Sequence, residues 1–276
     1  MDDAPIIQGD AGIVQRGELH AGAIRATLDT EVRTMIRDYL NTIETLLENV
    51  VSTQETAMER GAQLLADALC RDGLIYLFGC GHSHMLGEEG FYRAGGLGAV
   101  YPVLQSDLML HEGAVKSSAL ERRSELAQEV IDRYPMGEDD ALIVFSNSGI
   151  NGFPVEFMRL ATARGVKTIA VSSSAYDADA SRHPQGLHLK DAAMHAIDTG
   201  APHGDATYPL KGMDAAMGPV STIVSAFILN SLLARAAEIA VERGVTPAVY
   251  VSGNVQGGRE RNEAVIARYR NRIRFL

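Results

Sequence analysis

The 276-residue chain is 46% hydrophobic and 22% charged, which supplies a full α/β core and excludes a disordered polypeptide. Its formal charge of −10 argues against non-specific nucleic-acid binding, which relies on a basic surface. Two isolated cysteines (Cys70, Cys80), no basic leader ahead of an apolar run, and no apolar stretch approaching the ~20 residues of a bilayer span predict a cytoplasmic protein without membrane contact.

Residues 1–30 lack periodicity and read as a loose arm ahead of a single domain over 31–276. From Val32 the spacing Val32, Met35/Ile36, Tyr39, Ile43, Leu46/Leu47, Val50 predicts one helix. The capping-box pattern Ser52-Thr-Gln-Glu55 predicts a second, closed by Gly73. Leu74–Phe78 then reads as a buried strand, followed by the turn Gly79-Cys-Gly-His-Ser-His84 and a helix from Ser83 to about Ala94. Val100–Leu104 reads as a second strand, and Ser118-Ala-Leu-Glu121 as a capping box opening a helix to about Tyr134. Ala141–Phe145 is the third strand, ending in Ser146-Asn-Ser-Gly-Ile-Asn151, and Pro154 and Gly165 bound a crossover helix. Val166–Ser172 and Ala193–Ile197 complete five strands. A polar loop over 198–218, a long helix from Pro219 to Glu242, a short element at Val249–Val251 (sheet extension or small addition) and a last helix over Arg259–Arg272 follow. Alternating strands and helices with single crossovers imply a parallel sheet covered on both faces.

In such sheets ligands bind beyond the carboxyl ends of the strands. Hydroxyls and N–H groups at Ser83, Ser146, Asn147, Ser148, Gly149, Ser172, Ser173 and Ser221 suit a small anion, above all a phosphate. Gly79-x-Gly81 also opens dinucleotide-binding turns. Here the third small position is His84, and no ribose-binding acid follows the second strand. His82-x-His84 with His111, His183, His188 or Asp205 is a conceivable metal set, but no recognised ligand spacing supports it, so neither metal nor cofactor is expected.

The two turns resemble those of the sugar isomerase (SIS) domain, a phosphosugar-binding fold of five parallel strands between helical layers. Gly79, Gly81 and Ser83 match its first turn; Ser146, Ser148 and Gly149 match its second, with Asn151 where Thr or Ser is usual. The stretch Gly79–Leu97 resembles a branch grouped with phosphosugar and phosphoheptose isomerases, and the likeness runs from about Met35 to Tyr250. It implies a three-layer α-β-α sandwich with added N- and C-terminal helices and a phosphosugar ligand, and the N-terminal helical pair suggests a homodimer or homotetramer. Gly81, His82, Ser83, Arg93, Ser146, Asn147, Ser148, Gly149, Asn151, Ser172, Ser173 and Ser221 are the expected binding residues. In phosphoheptose isomerases and related etherases a catalytic Glu stands about ten residues beyond the turn Ser. Arg93 occupies that place, so Glu89 or Glu88 becomes the candidate base, with His203 or His84 as proton partner. The expected reaction is aldose–ketose isomerisation; a phosphosugar-sensing module and a sugar-phosphate lyase or etherase are the alternatives.

Overall fold

The structure is a computed structural model that describes residues 11–276, with side chains from Met35 onward. Strands β1 (Ile75–Gly79), β2 (Val100–Pro102), β3 (Ala141–Phe145), β4 (Lys167–Ser172) and β5 (His195–Asp198) form one parallel sheet in the order β2-β1-β3-β4-β5. Ile75, Leu77, Leu142, Ile143 and Val144 have no solvent exposure, as continuous apolar runs buried on both faces require. Gly79 pairs with Phe145, and Phe145 with Val171, so β1, β3 and β4 end level with one another.

Successive side chains of β1 point to opposite layers. Phe78 packs on Phe153 and Phe157 of α5 (Gly152–Ala163), at ring separations of 5.8 and 4.4 Å. Leu77 faces the other way, where Gly90 of α2 (Met85–Gly90) lies against Leu77, Leu229 and Leu233, the last two from α7 (Ser221–Glu242). Gly61 of α1 (Ala11–Cys70) meets Leu232, Ile197 and Ile169 in that same layer. The fold is the expected three-layer sandwich.

The helical details differ from expectation. Residues 1–10 lie outside the described residues, and Ala11–Thr30, expected as loose arm, is helical. The chain divides into two compact units at Glu44 and Thr45. The break expected at Ser52 is absent because the Ser52 and Thr53 hydroxyls donate back to the Asn49 carbonyl at 3.1 and 2.7 Å, inside one continuous helix. The helix after the first turn stops at Gly90: Phe91 is extended and Tyr92 has φ +46°. Ser118 lies within α3 (Ala114–Leu120), which starts at Gly113 with φ +126°. A 3₁₀ turn and α4 (Ala127–Ile131) replace one long helix. The loop expected over 198–218 contains an antiparallel hairpin, β6 (Ala206–Pro209) and β7 (Ala216–Pro219). The remaining helices are α6 (Leu189–Ala192) and α8 (Gly258–Tyr269).

One further expectation needs correcting. By length and composition α7 could cross a membrane, with mean hydropathy 1.5 over its apolar window, but half of that window is buried inside the fold.

β2 is an edge strand. Its Tyr101 packs between Tyr76, Tyr134 and Phe275 at 4.9, 5.5 and 6.2 Å. Val249 pairs with Leu97 just ahead of β2, making Val249–Val251 a small addition, and Arg268 and Arg272 of the C-terminal segment bond Asp72 before β1.

Gly79 closes β1 where the chain folds back on itself: a Cβ there would stand 2.4 Å from the Ser83 carbonyl oxygen. Gly79→Ala is expected to destabilise the protein by about 1–3 kcal/mol through overpacking. Urea unfolding checks this, and an unchanged midpoint would contradict the close approach.

Candidate functional site

The chain leaves β1 toward β2 on one side and continues from β3 to β5 on the other, which places the topological switch between β1 and β3. The crevice beyond their carboxyl ends is the expected ligand position. Gly81 with φ +56° opens a 3₁₀ turn that presents His82 and Ser83, and the Ser83 amide donates to the Cys80 carbonyl at 3.0 Å. His84 turns inward: it is 8% exposed, its Nδ1 donates to the Gly81 carbonyl at 2.5 Å, and its Nε2 stands 3.8 Å from Glu88.

The second turn is stitched to β4 and its sequel. The Ser146 amide donates to Val171, the Ser173 amide to Asn147, and the Leu189 amide to Gly149 at 3.1, 2.8 and 2.8 Å. Gly149 has φ +63°, and a Cβ there would crowd Ser172 at 3.3 Å, so only glycine suits the position. Bonded this way through its carbonyls, the turn leaves the amides of Ser148, Gly149 and Ile150 donating to no carbonyl among the described residues. They precede the twelve-residue α5, whose N-terminus adds a favourable field for an anion.

The serines fall into two groups. Ser173 donates to Ala201 and accepts from the Ala175 amide, and Ser221 donates to Asp205, so both hydroxyls hold structure. Asp205 also accepts from the Val220 and Ser221 amides, which places a carboxylate of the chain itself at the start of α7. Ser83, Ser146, Ser148 and Ser172 make no such side-chain bonds. Tyr250 Oη is the only buried side-chain oxygen without a partner among the described residues, so those four hydroxyls reach solvent.

The acid–base candidates are spread out. Glu89 pairs with Arg93 and accepts from Asn230 of α7 at 2.9 Å, which ties α2 to α7; Glu88 is more exposed. His203 packs at a tilt on Tyr176 at 4.4 Å and bonds Asp179 at 3.1 Å, beyond β4. Asn147 accepts from Thr199 at 3.5 Å, and Asn151 accepts from Arg182. The conceivable metal ligands are dispersed: His183 bonds Glu156, His188 bonds the Asp179 carbonyl, and Asp205 caps α7. No group of three His, Cys, Asp or Glu could hold a metal ion among the described residues.

Two charged residues that sequence reasoning missed adjoin the site. Glu121 ends α3, its side chain half-buried. Burial pushes its pKa up, while Asn151, Arg182 and Arg122 pull in the opposite direction. Arg182 is held to the second turn by its own amide, which donates to the Ile150 carbonyl at 2.8 Å. The only sequence signal for Glu121 is its place on the segment leaving the carboxyl end of β2, which must run along this edge.

A profile of the SIS domain matches residues 38–173. A UPF0309 protein from Listeria innocua is 41% identical over 243 residues, covering 88% of this chain and 98% of its own. Another, from Caldanaerobacter subterraneus subsp. tengcongensis, is 40% identical over 246 residues and is covered in full, with 88% of this chain. Among solved structures, a phosphoheptose isomerase from Francisella tularensis has TM-score 0.50 at 14% identity, covering 77% of this chain and 98% of its own, a likeness of fold.

Proposed function

The chain belongs to the UPF0309 family and carries a SIS domain, and from that premise we propose that it binds a phosphorylated sugar or amino sugar and interconverts its aldose and ketose forms without a cofactor. The observation that carries the reading is the set of uncommitted donors at the switch point: the hydroxyls of Ser83, Ser146, Ser148 and Ser172 and the amides of Ser148–Ile150. Donors that fold back onto nothing of the protein's own suit a phosphate monoester, whose oxygens accept several charge-assisted bonds. Gly81, His82 and Gly149 shape the two turns around them, with Asn147 and Asn151 at the flanks.

The test is incubation with a panel of aldose and ketose phosphates in D₂O, read by NMR. Interconversion with deuterium appearing at C1 or C2 is expected. Saturable binding with no exchange would mean a sensing module, and release of an acid side chain a lyase.

The protein is proposed to work as a homodimer or homotetramer. A groove of about 220 Å³ between α1 and α7, lined by Val51, Met58, Phe227 and Leu232, offers apolar surface for a second copy. Light scattering of a chromatographed sample is expected to give a multiple of the chain mass; a monomer at all concentrations would remove this proposal.

A further inference from the structure

Arg93, expected among the binding residues, closes its guanidinium on Glu89. Arg182 is differently placed. Its own amide donates to the Ile150 carbonyl at 2.8 Å, and its guanidinium Nη1 donates to the side-chain oxygen of Asn151, the next residue of the second turn. The residues on either side of it are pinned. The Ser181 hydroxyl donates to the Leu187 carbonyl and accepts from the His183 amide, and the buried His183 ring bonds Glu156 of α5 at 2.9 Å. A long cationic side chain is therefore fixed at both ends along the edge of the turn whose Ser148, Gly149 and Ile150 amides are uncommitted.

The charge it brings is not compensated. The guanidinium bonds a neutral oxygen and is salt-bridged to no carboxylate among the described residues. Glu121 attracts both Arg182 and Arg122, so two cations face one carboxyl and the group stays positive when that carboxyl is ionised. Asn151 stands where the SIS turn usually carries Thr or Ser. A hydroxyl at that position is a neutral donor, whereas the amide oxygen is an acceptor, and in this chain it carries a guanidinium to the turn.

Resting on the phosphosugar reading above, we infer that Arg182, held in place by Asn151, is a further binding residue of the same site and makes it selective for a doubly charged head. A phosphate monoester is preferred over a sulfate ester or a phosphodiester, which carry one charge each. The amides and serine hydroxyls can bond the oxygens of any of these, but the attraction of the guanidinium grows with the charge the ligand carries. One of its five N–H donors serves Asn151, and the others stay available to the ligand. Because the side chain is already ordered, little further entropy is lost when the ligand arrives.

Two small probes, titrated into the full chain at low salt and about pH 8, test this without a choice of sugar. Methyl phosphate is a dianion there, and methyl sulfate is a monoanion of the same shape. Coulomb energy is proportional to ligand charge, so the fold-loss for the dianion should be the square of that for the monoanion. Arg182→Gln is expected to weaken methyl phosphate by about 10–100-fold, as loss of a charge-assisted bond does, and methyl sulfate by only about 3–10-fold. Arg182→Lys keeps the charge and should hold the preference for methyl phosphate within about threefold of the wild type's. Asn151→Ser gains a hydroxyl but frees the guanidinium, so the preference should fall there too, with Arg182 intact.

An equal loss of both probes in Arg182→Gln would mean that the residue only shapes the turn, and unchanged binding of both would mean that it does nothing there. Either result overturns the inference and leaves the phosphosugar reading standing. A wild type that binds neither probe overturns the inference as well, and one that also binds no phosphosugar refutes the reading beneath it.

Discussion

Replacing Ser146 and Ser148 together by alanine is expected to weaken binding of a hexose 6-phosphate by about 10²–10⁴-fold. Each hydroxyl would donate to a charged oxygen, a bond of about 1.5–3 kcal/mol, and the pair therefore accounts for about 3–6 kcal/mol. Neither hydroxyl has a partner among the described residues, so the double variant should keep the wild-type Tm within a degree or two. That contrast separates a binding defect from a folding defect. Ser173→Ala gives the opposite pattern, because its hydroxyl bonds the Ala201 carbonyl and the Ala175 amide: Tm should fall and affinity should hold. Calorimetry with the sugar phosphate and with inorganic phosphate reads both variants. If the double variant bound as tightly as the wild type, the strand-end turns would not be the anion site.

Phe78→Ala is expected to cost about 3–5 kcal/mol, among the largest losses a single truncation can produce here. The ring is 1% exposed and packs against Phe153 and Phe157 directly below the first turn. Against a typical total of about 5–15 kcal/mol this is a large share, and Tm should drop by about 6–20 °C. The cavity would open beneath Gly79, so phosphosugar affinity should fall even in the fraction that remains folded. Phe78→Leu, which keeps most of the volume, should recover over half of the loss. A Tm change under 2 °C for Phe78→Ala would contradict the packing described.

The sheet and both binding turns were readable because strands buried on both faces leave an uninterrupted apolar run, and a run that stops at Gly79 or Ser146 marks its own end. What escaped was everything decided by contacts distant in sequence. The Ser52–Glu55 pattern fits a helix start, yet the same hydroxyls can bond backward within a continuing helix, and local sequence does not choose between the two. The hairpin of β6 and β7 is largely exposed and carries Met, Gly and Pro in place of alternating β-branched residues, so no strand pattern announced it. Serine's two uses could not be told apart either: Ser172 and Ser173 are adjacent and chemically identical, and only the position of the Ala201 carbonyl commits one of them. Glu121 read as a helix-opening residue because Ser118 precedes it by three positions. Its neighbours Asn151 and Arg182 arrive from segments 30 and 61 residues further along the chain.

The cover over the sheet's outer strand has a bearing on how the protein is made. Tyr101 is shielded by Phe275, and Val249 supplies the pairing partner for the residue run leading into β2. During synthesis these shielding residues leave the ribosome after all five strands, so the nascent sheet carries a bare margin until they follow. Ribosome-bound chains halted before Val249 should accordingly be captured by holdase chaperones, while chains extended well past Phe275 escape once that segment closes over the margin.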